Sequence, residues 1–330
     1  MKEVPIPELK NDEVLIRVKA CGICGSDVHG MDGSTGRRIP PVIMGHEASG
    51  VLTEIGSKVN GWKINDRVTF DSTIYCGRCI FCREGKINLC SNRRVLGVSC
   101  NEYRQNGAFA EYIAVPEHIL YKLPEGISFE YAAMTEALSI AFHAVKRTPI
   151  ILNDNAVVVG SGMIGLLLIQ SLRIAGCGKI IAIDIDDTKL KLAEKLGADF
   201  TINSNTTDVK KEIESITNGS YADIAFEVVG ISSSVNTAVE VLKKGGFLTL
   251  VGNLSVKIDF PLQNIVIKEI SVIGSCASSG EYPACLEMIA NKKIDVKALI
   301  SKVAPLDEGE VWFNRLYNKE PNLMKVILIP

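Results

Sequence analysis

The first 135 residues carry short apolar runs separated by glycine and proline, a pattern that predicts strands rather than long helices. The stretches DEVLIRVKA, ASGVLTEIG and FAEYIAVP are rich in β-branched and aromatic residues and are flanked by turn residues. Few segments of this part keep a helical period over several turns. We therefore expect a mostly β domain over residues 1–137.

The pattern changes near residue 137, where apolar strands and amphipathic helices begin to alternate. The runs NAVVVG, KIIAID and DIAFEVVG are nearly continuous in apolar residues, and helical segments such as 163–175 lie between them. Such alternation predicts a doubly wound parallel sheet, an α/β Rossmann domain over residues 138–275. Two more helical stretches and the β-like run MKVILIP follow in residues 276–330.

Composition narrows the possible functions. The chain has 330 residues, is 47% hydrophobic and carries a net charge of −2 without clusters of Lys or Arg. These values indicate a globular protein of two domains and argue against binding to nucleic acid or to an anionic membrane. We find no secretory signal and no spanning segment, so we expect a cytoplasmic protein whose ten cysteines bind metal or stay free thiols.

The segment NAVVVGSGMIG places a GxGxxG pattern directly after an apolar strand and at the start of a predicted helix. Gly160 suits a tight turn, Gly162 lets the backbone approach a pyrophosphate, and Gly165 permits close packing of helix on strand. These positions predict a dinucleotide site. The alternative is a glycine-containing turn in an α/β domain that binds no nucleotide.

An acidic edge after the next strand predicts which dinucleotide is bound. Asp184 ends that strand, where a carboxylate can accept hydrogen bonds from the ribose hydroxyls. Asp186 and Asp187 follow it, and no Arg stands beside it to pair with a 2′-phosphate. The sequence therefore favours NAD over NADP.

Four cysteines lie close together in the stretch YCGRCIFCREGKINLC, at spacings of two, two and seven residues: Cys76, Cys79, Cys82 and Cys90. Four thiolates can close a tetrahedral zinc site that leaves no position for substrate, so this metal would be structural. An iron–sulfur cluster also takes four cysteines, but the gap of seven departs from common ferredoxin spacings. A zinc-ribbon module for nucleic acid is a further alternative, which the lack of a basic surface disfavours.

Chemistry at a metal would then need a second site. The stretches CGICGSDVHG and MGHEASG supply Cys24, His46 and Glu47, and these ligand types suit a zinc ion with an open coordination position. Taken singly, His46 could be a structural core histidine, and Glu47 could lie in a surface turn.

Taken together, these motifs resemble the zinc-dependent medium-chain alcohol dehydrogenases, which combine a GroES-like catalytic domain with a Rossmann domain. The resemblance covers essentially the whole chain and rests on the order of CGICGSDVH, GHEASG, the four cysteines, TEALSIAFHA and GSGMIG. It is closest to the polyol branch, which includes sorbitol (L-iditol) dehydrogenase, because Glu136 stands where the alcohol branch has a cysteine. The resemblance implies two zinc ions and a catalytic ion held by Cys24 and His46, with Glu47 and Glu136 as direct or water-mediated ligands.

The same resemblance implies further roles. Ser26 and His29 match a proton relay to solvent, although His29 could also be an ordinary exposed turn residue. Additional cofactor contacts are implied for Ile164, Lys189 and the Val251, Gly252 and Asn253 backbone. The implied activity is oxidation of a secondary alcohol of a polyol or sugar derivative to the ketone with NAD⁺, in a homo-oligomer that is a tetramer or dimer. Residues 276–330 would return to the catalytic domain.

The sequence departs from the family pattern in two places, and the second departure concerns the substrate. The family usually has a strand before VPIPEL, and this chain begins almost there, which allows a truncated or misassigned start. Sorbitol dehydrogenases carry an Arg–Tyr pair where this chain has Ala277 and Ser278, which makes sorbitol itself doubtful. Galactitol phosphate, butanediol, a sugar acid and threonine stay open as substrates, and an NAD-binding regulatory protein is the alternative outside enzymes.

Overall fold

The computed structural model describes residues 2–33, 36, 38–98 and 104–330. The chain divides into two units, one of residues 1–136 with 279–330 and one of residues 137–278. We call them the first and the second unit. The assignment of catalysis to the first unit and of cofactor binding to the second stays a prediction.

Strands account for much of both units, and their bounds in chain order are as follows. They are β1 Glu13–Gly22, β2 Glu47–Ile55, β3 Arg67–Phe70, β4 Thr73–Ile74, β5 Arg94–Val95, β6 Tyr112–Pro116, β7 Leu120–Lys122, β8 Ala156–Val159, β9 Ile180–Asp184, β10 Phe200–Asn203, β11 Ala222–Glu227, β12 Leu242–Leu250, β13 Ser271–Gly274, β14 Ile300–Pro305 and β15 Lys325–Ile329.

The α-helices are mostly short, and several follow strands of the second unit. They are α1 Gly25–Gly30, α2 Ile80–Arg83, α3 Phe129–Ala133, α4 Thr135–Arg147, α5 Met163–Ile174, α6 Asp187–Lys195, α7 Val209–Ile216, α8 Ser232–Glu240, α9 Leu262–Lys268, α10 Tyr282–Ala290 and α11 Gly309–Tyr317. Among the described residues, none of these helices is long and apolar enough to cross a membrane.

Strand β1 organises the first unit. It pairs antiparallel with β2, with β6 and, near its end, with β15, in a sheet of order β14-β15-β1-β2-β3-β7. Its residues are almost all buried, which fits the apolar run that predicted it. The predicted mostly β character of this part is confirmed.

The register of this sheet brings two distant charged residues together. Gly22, at the end of β1, lies opposite Glu47 of β2 on one side and Ile327 of β15 on the other. Both β2 and β15 begin at this end of the sheet, with Glu47 and Lys325. A Cβ atom at Gly22 would collide with the Glu47 carboxylate, so a glycine is required where these side chains meet.

The second unit is a parallel sheet of order β10-β9-β8-β11-β12-β13. The chain runs outward from β8 to β10 and then returns to β11 on the other side of β8, so the strand order reverses there. Ligands of doubly wound folds bind at the carboxyl ends of the strands at such a point. The predicted Rossmann fold is confirmed, and the GxGxxG segment directly follows the central strand β8.

The core of the second unit depends on the central strands. Phe226 of β11 is fully buried and lies between Val158 of β8 and Thr249 of β12. Phe200 in the edge strand β10 is 39% exposed and provides a matched control.

We expect Phe226→Ala to lower the free energy of unfolding by about 3–5 kcal/mol, because it removes a buried ring and leaves a cavity. Phe200→Ala should lower it by less than about 1 kcal/mol, since its ring already contacts water. Urea unfolding followed by circular dichroism measures both. Equal losses in the two variants would contradict the central position of Phe226.

Candidate metal and cofactor sites

The glycine loop has the geometry that its sequence predicted. Gly160 adopts φ of +103°, and a Cβ atom there would lie 2.6 Å from Val229. At Gly165 a Cβ atom would collide with the Gly160 carbonyl oxygen, so this glycine allows α5 to pack directly against the turn. Gly162, the residue before α5, has open space where a Cβ would be. A phosphate can therefore approach the first N–H groups of this helix.

Asp184 lies at the end of β9, and its carboxylate contacts the backbone of the glycine loop. Its Oδ2 accepts a hydrogen bond from the Ser161 N–H at 2.6 Å, and its Oδ1 accepts from the Ile185 and Asp186 N–H groups at 2.8 and 3.0 Å. These bonds fix the carboxylate beside the glycine loop. Two other predicted cofactor residues follow in the neighbouring helices, with Ile164 in the first turn of α5 and Lys189 in α6.

A buried glutamate that sequence reasoning missed organises the ends of β11 and β12. The Glu227 Oε1 accepts hydrogen bonds from the Val229 and Gly230 N–H groups and from the Ser234 hydroxyl at 2.6–2.9 Å. Its carbonyl accepts from the N–H groups of Val251 and Gly252 at 2.8 and 3.0 Å. Glu227 therefore ties the predicted 251–253 backbone segment to the carboxyl end of the sheet. An acidic residue that ends a buried strand was the available signal.

The structure brings the four clustered cysteines together. One sulfur from each of Cys76, Cys79, Cys82 and Cys90 lies within 4.8 Å of the others. Backbone N–H groups point at this cluster: the Cys90 sulfur accepts from Cys76 and Asn92 at 3.2 and 3.4 Å. The cluster sits between the short strands β4 and β5, with α2 as its only α-helix among the described residues.

The electrostatics of the cluster fit a metal dication. Hydrogen bonds from the backbone of Arg78 and Cys79 lower the pKa of Cys76 to about 6. Burial raises the pKa of Cys82 to about 12, and contacts with the sulfurs of Cys79 and Cys90 add to this. Sulfur atoms this close cannot all ionise unless a cation is present, and a closed set of four thiolates is the donor set that structural zinc takes.

A second group in the first unit joins Cys24, His46 and Glu47, whose ligand atoms lie within 4.8 Å of one another. Cys24 directly precedes α1, His46 is the residue before β2, and Glu47 begins that strand. His46 and Glu47 are buried, and Cys24 is half-buried. The structure thus brings these three side chains together, although they come from separate segments, and their role as metal ligands stays a prediction.

Lys325 was missed by sequence reasoning and lies against this group. Its Nζ contacts both carboxylate oxygens of Glu47, at 2.9 and 2.6 Å, and donates to the Ile23 carbonyl at 3.1 Å. Both side chains are at most 2% exposed. Burial alone would lower the pKa of Lys325, but the Glu47 carboxylate raises it above its usual range. Lys325 therefore keeps its positive charge in this buried position, where it lies against both Glu47 oxygens.

A second buried ion pair, between Asp27 and Arg38, lies next to His46. Asp27 is fully buried, and its Oδ2 lies 3.5 Å from His46 Nδ1 while its Oδ1 accepts from Arg38 Nε at 3.0 Å. Burial by itself would lower the pKa of His46, but Asp27 and Cys24 raise it well above its usual value. The same negative groups that raise this pKa also favour a bound cation at the site. Because Nδ1 faces Asp27, Nε2 is the nitrogen that can bind a metal.

Glu136 stands apart from the three ligating groups. It is not part of the group formed by Cys24, His46 and Glu47, and its Oε1 accepts from the Ser72 hydroxyl at 3.3 Å. Burial raises the pKa of Glu136 to about 7, with His46 lowering it and Glu47 raising it. Glu136 is thus close enough to interact electrostatically with His46 and Glu47. Its role as a direct or water-mediated ligand stays a prediction.

Ser26 and His29, the predicted relay, are both exposed on α1. Three residues apart on a helix, they face the same side. The Ser26 Oγ also accepts a hydrogen bond from Arg38 Nη2 at 3.2 Å. Neither Arg38 nor Asp27 was singled out from the sequence, because a lone arginine in a loop gives no signal of what it contacts.

Two family models match the chain: the zinc-binding dehydrogenase model over residues 164–291 and the alcohol dehydrogenase GroES-like domain over residues 10–125. Sorbitol dehydrogenase of Bacillus subtilis (strain 168) is 32% identical to it, over 100% of this chain and 94% of that protein. D-arabitol-phosphate dehydrogenase of Enterococcus avium is 34% identical, over 99% and 92%. A crystal structure of a Sinorhizobium meliloti 1021 protein bound to NADP has a TM-score of 0.90 at 31% identity, over 99% and 94%.

We expect Lys325→Met to lower the free energy of unfolding by about 3–5 kcal/mol, because it leaves the buried Glu47 charge without its partner. Lys122→Met is the control: Lys122 is 63% exposed in its pair with Asp66, and its loss should lower stability by about 0–1 kcal/mol. Denaturant unfolding of both variants in the same zinc concentration measures the difference. A Lys325 variant as stable as the Lys122 variant would contradict the buried pair.

The similarity to these relatives extends over essentially the whole chain. Its two matched models correspond to the mostly β fold and the Rossmann fold described above, so the predicted fold class is confirmed. The chain belongs to the zinc-binding, medium-chain alcohol dehydrogenase family.

Proposed function

We propose that this dehydrogenase oxidises a secondary alcohol of a polyol or sugar derivative to the ketone, with zinc at Cys24 and His46 and NAD⁺ as the acceptor. The observation that carries the proposal is the meeting of Cys24, His46 and Glu47 within 4.8 Å, a mixed donor set that suits zinc with an open coordination position. The relatives named for polyols and polyol phosphates support the substrate class.

Bound at this group, zinc supplies Lewis acidity that makes a substrate hydroxyl easier to deprotonate. The nicotinamide supplies the hydride acceptor, and Gly162, the α5 N-terminus and Asp184 hold and orient its dinucleotide. Oxidation removes a hydride from carbon and a proton from oxygen. Ser26 Oγ accepts that proton as its own hydroxyl proton leaves in the direction of His29, one turn further along α1, which releases a proton to solvent.

Glu47 and Glu136 set the charge of the site. Lys325 contacts both Glu47 oxygens, so the ammonium group competes with a metal for the same carboxylate. We therefore propose that Cys24 and His46 hold the zinc directly and that Glu47 and Glu136 reach it directly or through water. The second zinc, at Cys76, Cys79, Cys82 and Cys90, is proposed to be structural, because four sulfurs leave no position for substrate.

The choice of NAD over NADP rests on the Asp184 carboxylate and on Asp186 and Asp187 beyond it, which repel a 2′-phosphate. The NADP in the Sinorhizobium meliloti structure belongs to that protein. With Ala277 and Ser278 in place of an Arg–Tyr pair, polyols other than sorbitol are favoured. A cytoplasmic location stays a proposal, and a homo-oligomer, a tetramer or dimer, is proposed from the family resemblance.

The proposed activity is tested by an NAD⁺-reduction screen over polyols, polyol phosphates, sugar acids, butanediol and threonine, with metal analysis of the same sample. We expect turnover with at least one polyol or polyol phosphate and two zinc ions per chain. A zinc-replete protein that reduces NAD⁺ with none of the polyol-type substrates would contradict the proposal. Faster reduction of NADP⁺ would overturn the cofactor assignment alone.

Cys24→Ala should abolish turnover while NADH affinity changes by less than about twofold, because Cys24 and the glycine loop belong to different units. Steady-state kinetics and fluorescence titration with NADH measure the two effects. Cys177→Ala, at a buried thiol outside both cysteine groups, should leave both values unchanged. A parallel loss of NADH binding in Cys24→Ala would contradict the separation of the two sites.

Cys79→Ser should reduce the zinc content by one ion per chain and lower the unfolding midpoint by more than about 5 °C, because the lobe loses a structural metal. Exposed Cys276 gives the control, since Cys276→Ser should retain both ions. Atomic absorption and thermal unfolding measure the outcome. Full zinc content in Cys79→Ser would show that the cluster does not hold a metal.

A further inference from the structure

Arg38 is a buried arginine that contacts two neighbouring residues of α1 with two different nitrogens. Its side chain is 4% exposed. Its Nε donates to Asp27 Oδ1 at 3.0 Å, and its Nη2 donates to Ser26 Oγ at 3.2 Å. Asp27 faces the metal-ligand candidate His46, and Ser26 is the proposed proton acceptor, so one guanidinium links the two functions of the site.

We propose that Arg38 is a positioning residue that fixes the carboxylate behind His46 and the hydroxyl of Ser26 as one rigid unit. This inference rests on the proposed function, since it assigns Arg38 a role in the same reaction. It has two parts, one at the metal ligand and one at the relay, and each can be measured separately.

At the metal ligand, the two oxygens of Asp27 have different partners, and the Cys24 N–H also donates to Oδ2 at 3.4 Å. Oδ1 accepts from Arg38, and Oδ2 lies 3.5 Å from His46 Nδ1. The planar guanidinium group fixes the plane of the carboxylate more firmly than a single ammonium charge does. A fixed carboxylate in turn holds the imidazole with Nδ1 beside it, which leaves Nε2 as the nitrogen that can bind a metal. Asp27 is fully buried, so water does not replace Arg38 as its partner.

At the relay, Arg38 determines which hydrogen bonds Ser26 has left. A hydroxyl can donate one hydrogen bond and accept two, whereas a guanidinium group can only donate. The bond from Nη2 therefore occupies one lone pair of Ser26 Oγ. One lone pair and the O–H remain, which is what a group needs to accept one proton and release another. Arg38 thus orients the hydroxyl without taking part in the transfer itself.

The relay part is tested with Arg38→Lys, Ser26→Ala and the double variant. Lysine retains the charge beside Asp27 but lacks the fixed fork that also reaches Ser26. We expect kcat to fall about 10-fold in Arg38→Lys and about 100-fold in Ser26→Ala, with KM nearly unchanged. The double variant should be no slower than Ser26→Ala, because both changes disable the same hydroxyl. The control Arg315→Lys, at an exposed pair with Glu320, should retain full activity.

Effects that multiply in the double variant, or a wild-type kcat in Arg38→Lys, would overturn the relay part. If Ser26→Ala is itself fully active, both the proposed relay and the role of Arg38 in it are wrong. A loss in Ser26→Ala without any loss in Arg38→Lys would overturn only the role of Arg38. The two failures are therefore distinguishable.

The metal part needs no turnover. Competition with a chromophoric chelator measures zinc affinity in Arg38→Met, Arg38→Lys and wild type, and Cys24→Ala gives the contribution of the clustered cysteines alone. We expect the Cys24 site to bind zinc about 10–100-fold more weakly in Arg38→Met and within about threefold of wild type in Arg38→Lys. Equal affinity in wild type and Arg38→Met would overturn this part. Should Arg38→Met not fold, Arg38→Gln replaces it, judged by the same criterion.

Discussion

The buried ion pair between Glu47 and Lys325 is the interaction on which the first unit depends. Removing two charges from water is strongly unfavourable, and only close contact between them offsets it. The pair joins residues separated by 278 positions, at the point where β2 and β15 both start beside the end of β1. The carboxyl-terminal strand must therefore lie in this sheet, and Gly22 must leave room for the Glu47 carboxylate.

This constraint shapes the chemistry next to it. Lys325 lies against the Glu47 carboxylate, whereas Asp27 lies between His46 Nδ1 and Arg38 Nε. Two cationic side chains therefore balance the carboxylates around Cys24 and His46 without entering the group of ligating atoms. Such a site can hold a dication and still keep a coordination position open, unlike a closed set of four thiolates.

The dinucleotide site follows a different logic, in which backbone geometry matters more than charge. The glycine loop, Asp184 and the Glu227 hydrogen bonds all lie at the carboxyl ends of parallel strands, where the strand order reverses beside β8. Gly165 allows the helix to approach the turn, and the open space at Gly162 leaves its first N–H groups accessible. Binding of phosphates here depends on the absence of side chains as much as on those present.

The sequence by itself determined the features that depend on local pattern. Apolar periodicity predicted the mostly β and Rossmann folds, and the spacing of Gly160, Gly162 and Gly165 predicted the shape of a loop contained in one short segment. The four cysteines lie within fifteen residues, so their meeting also follows from local chain geometry. Ligand type suggested Cys24, His46 and Glu47, and the family resemblance assigned them to one ion, because motif order carries information that a lone histidine lacks.

Only the tertiary structure decided which partners balance those groups. Lys325, Arg38 and Asp27 have no distinctive spacing, and a buried charge pair is defined by strand register and solvent exclusion, which a linear pattern does not encode. Glu227 likewise reads as the polar end of a strand until the turn beyond it is seen to hydrogen bond to its carboxylate. Local pattern specifies elements and ligand types, whereas the electrostatic environment of a ligand comes from residues that the fold brings in from elsewhere.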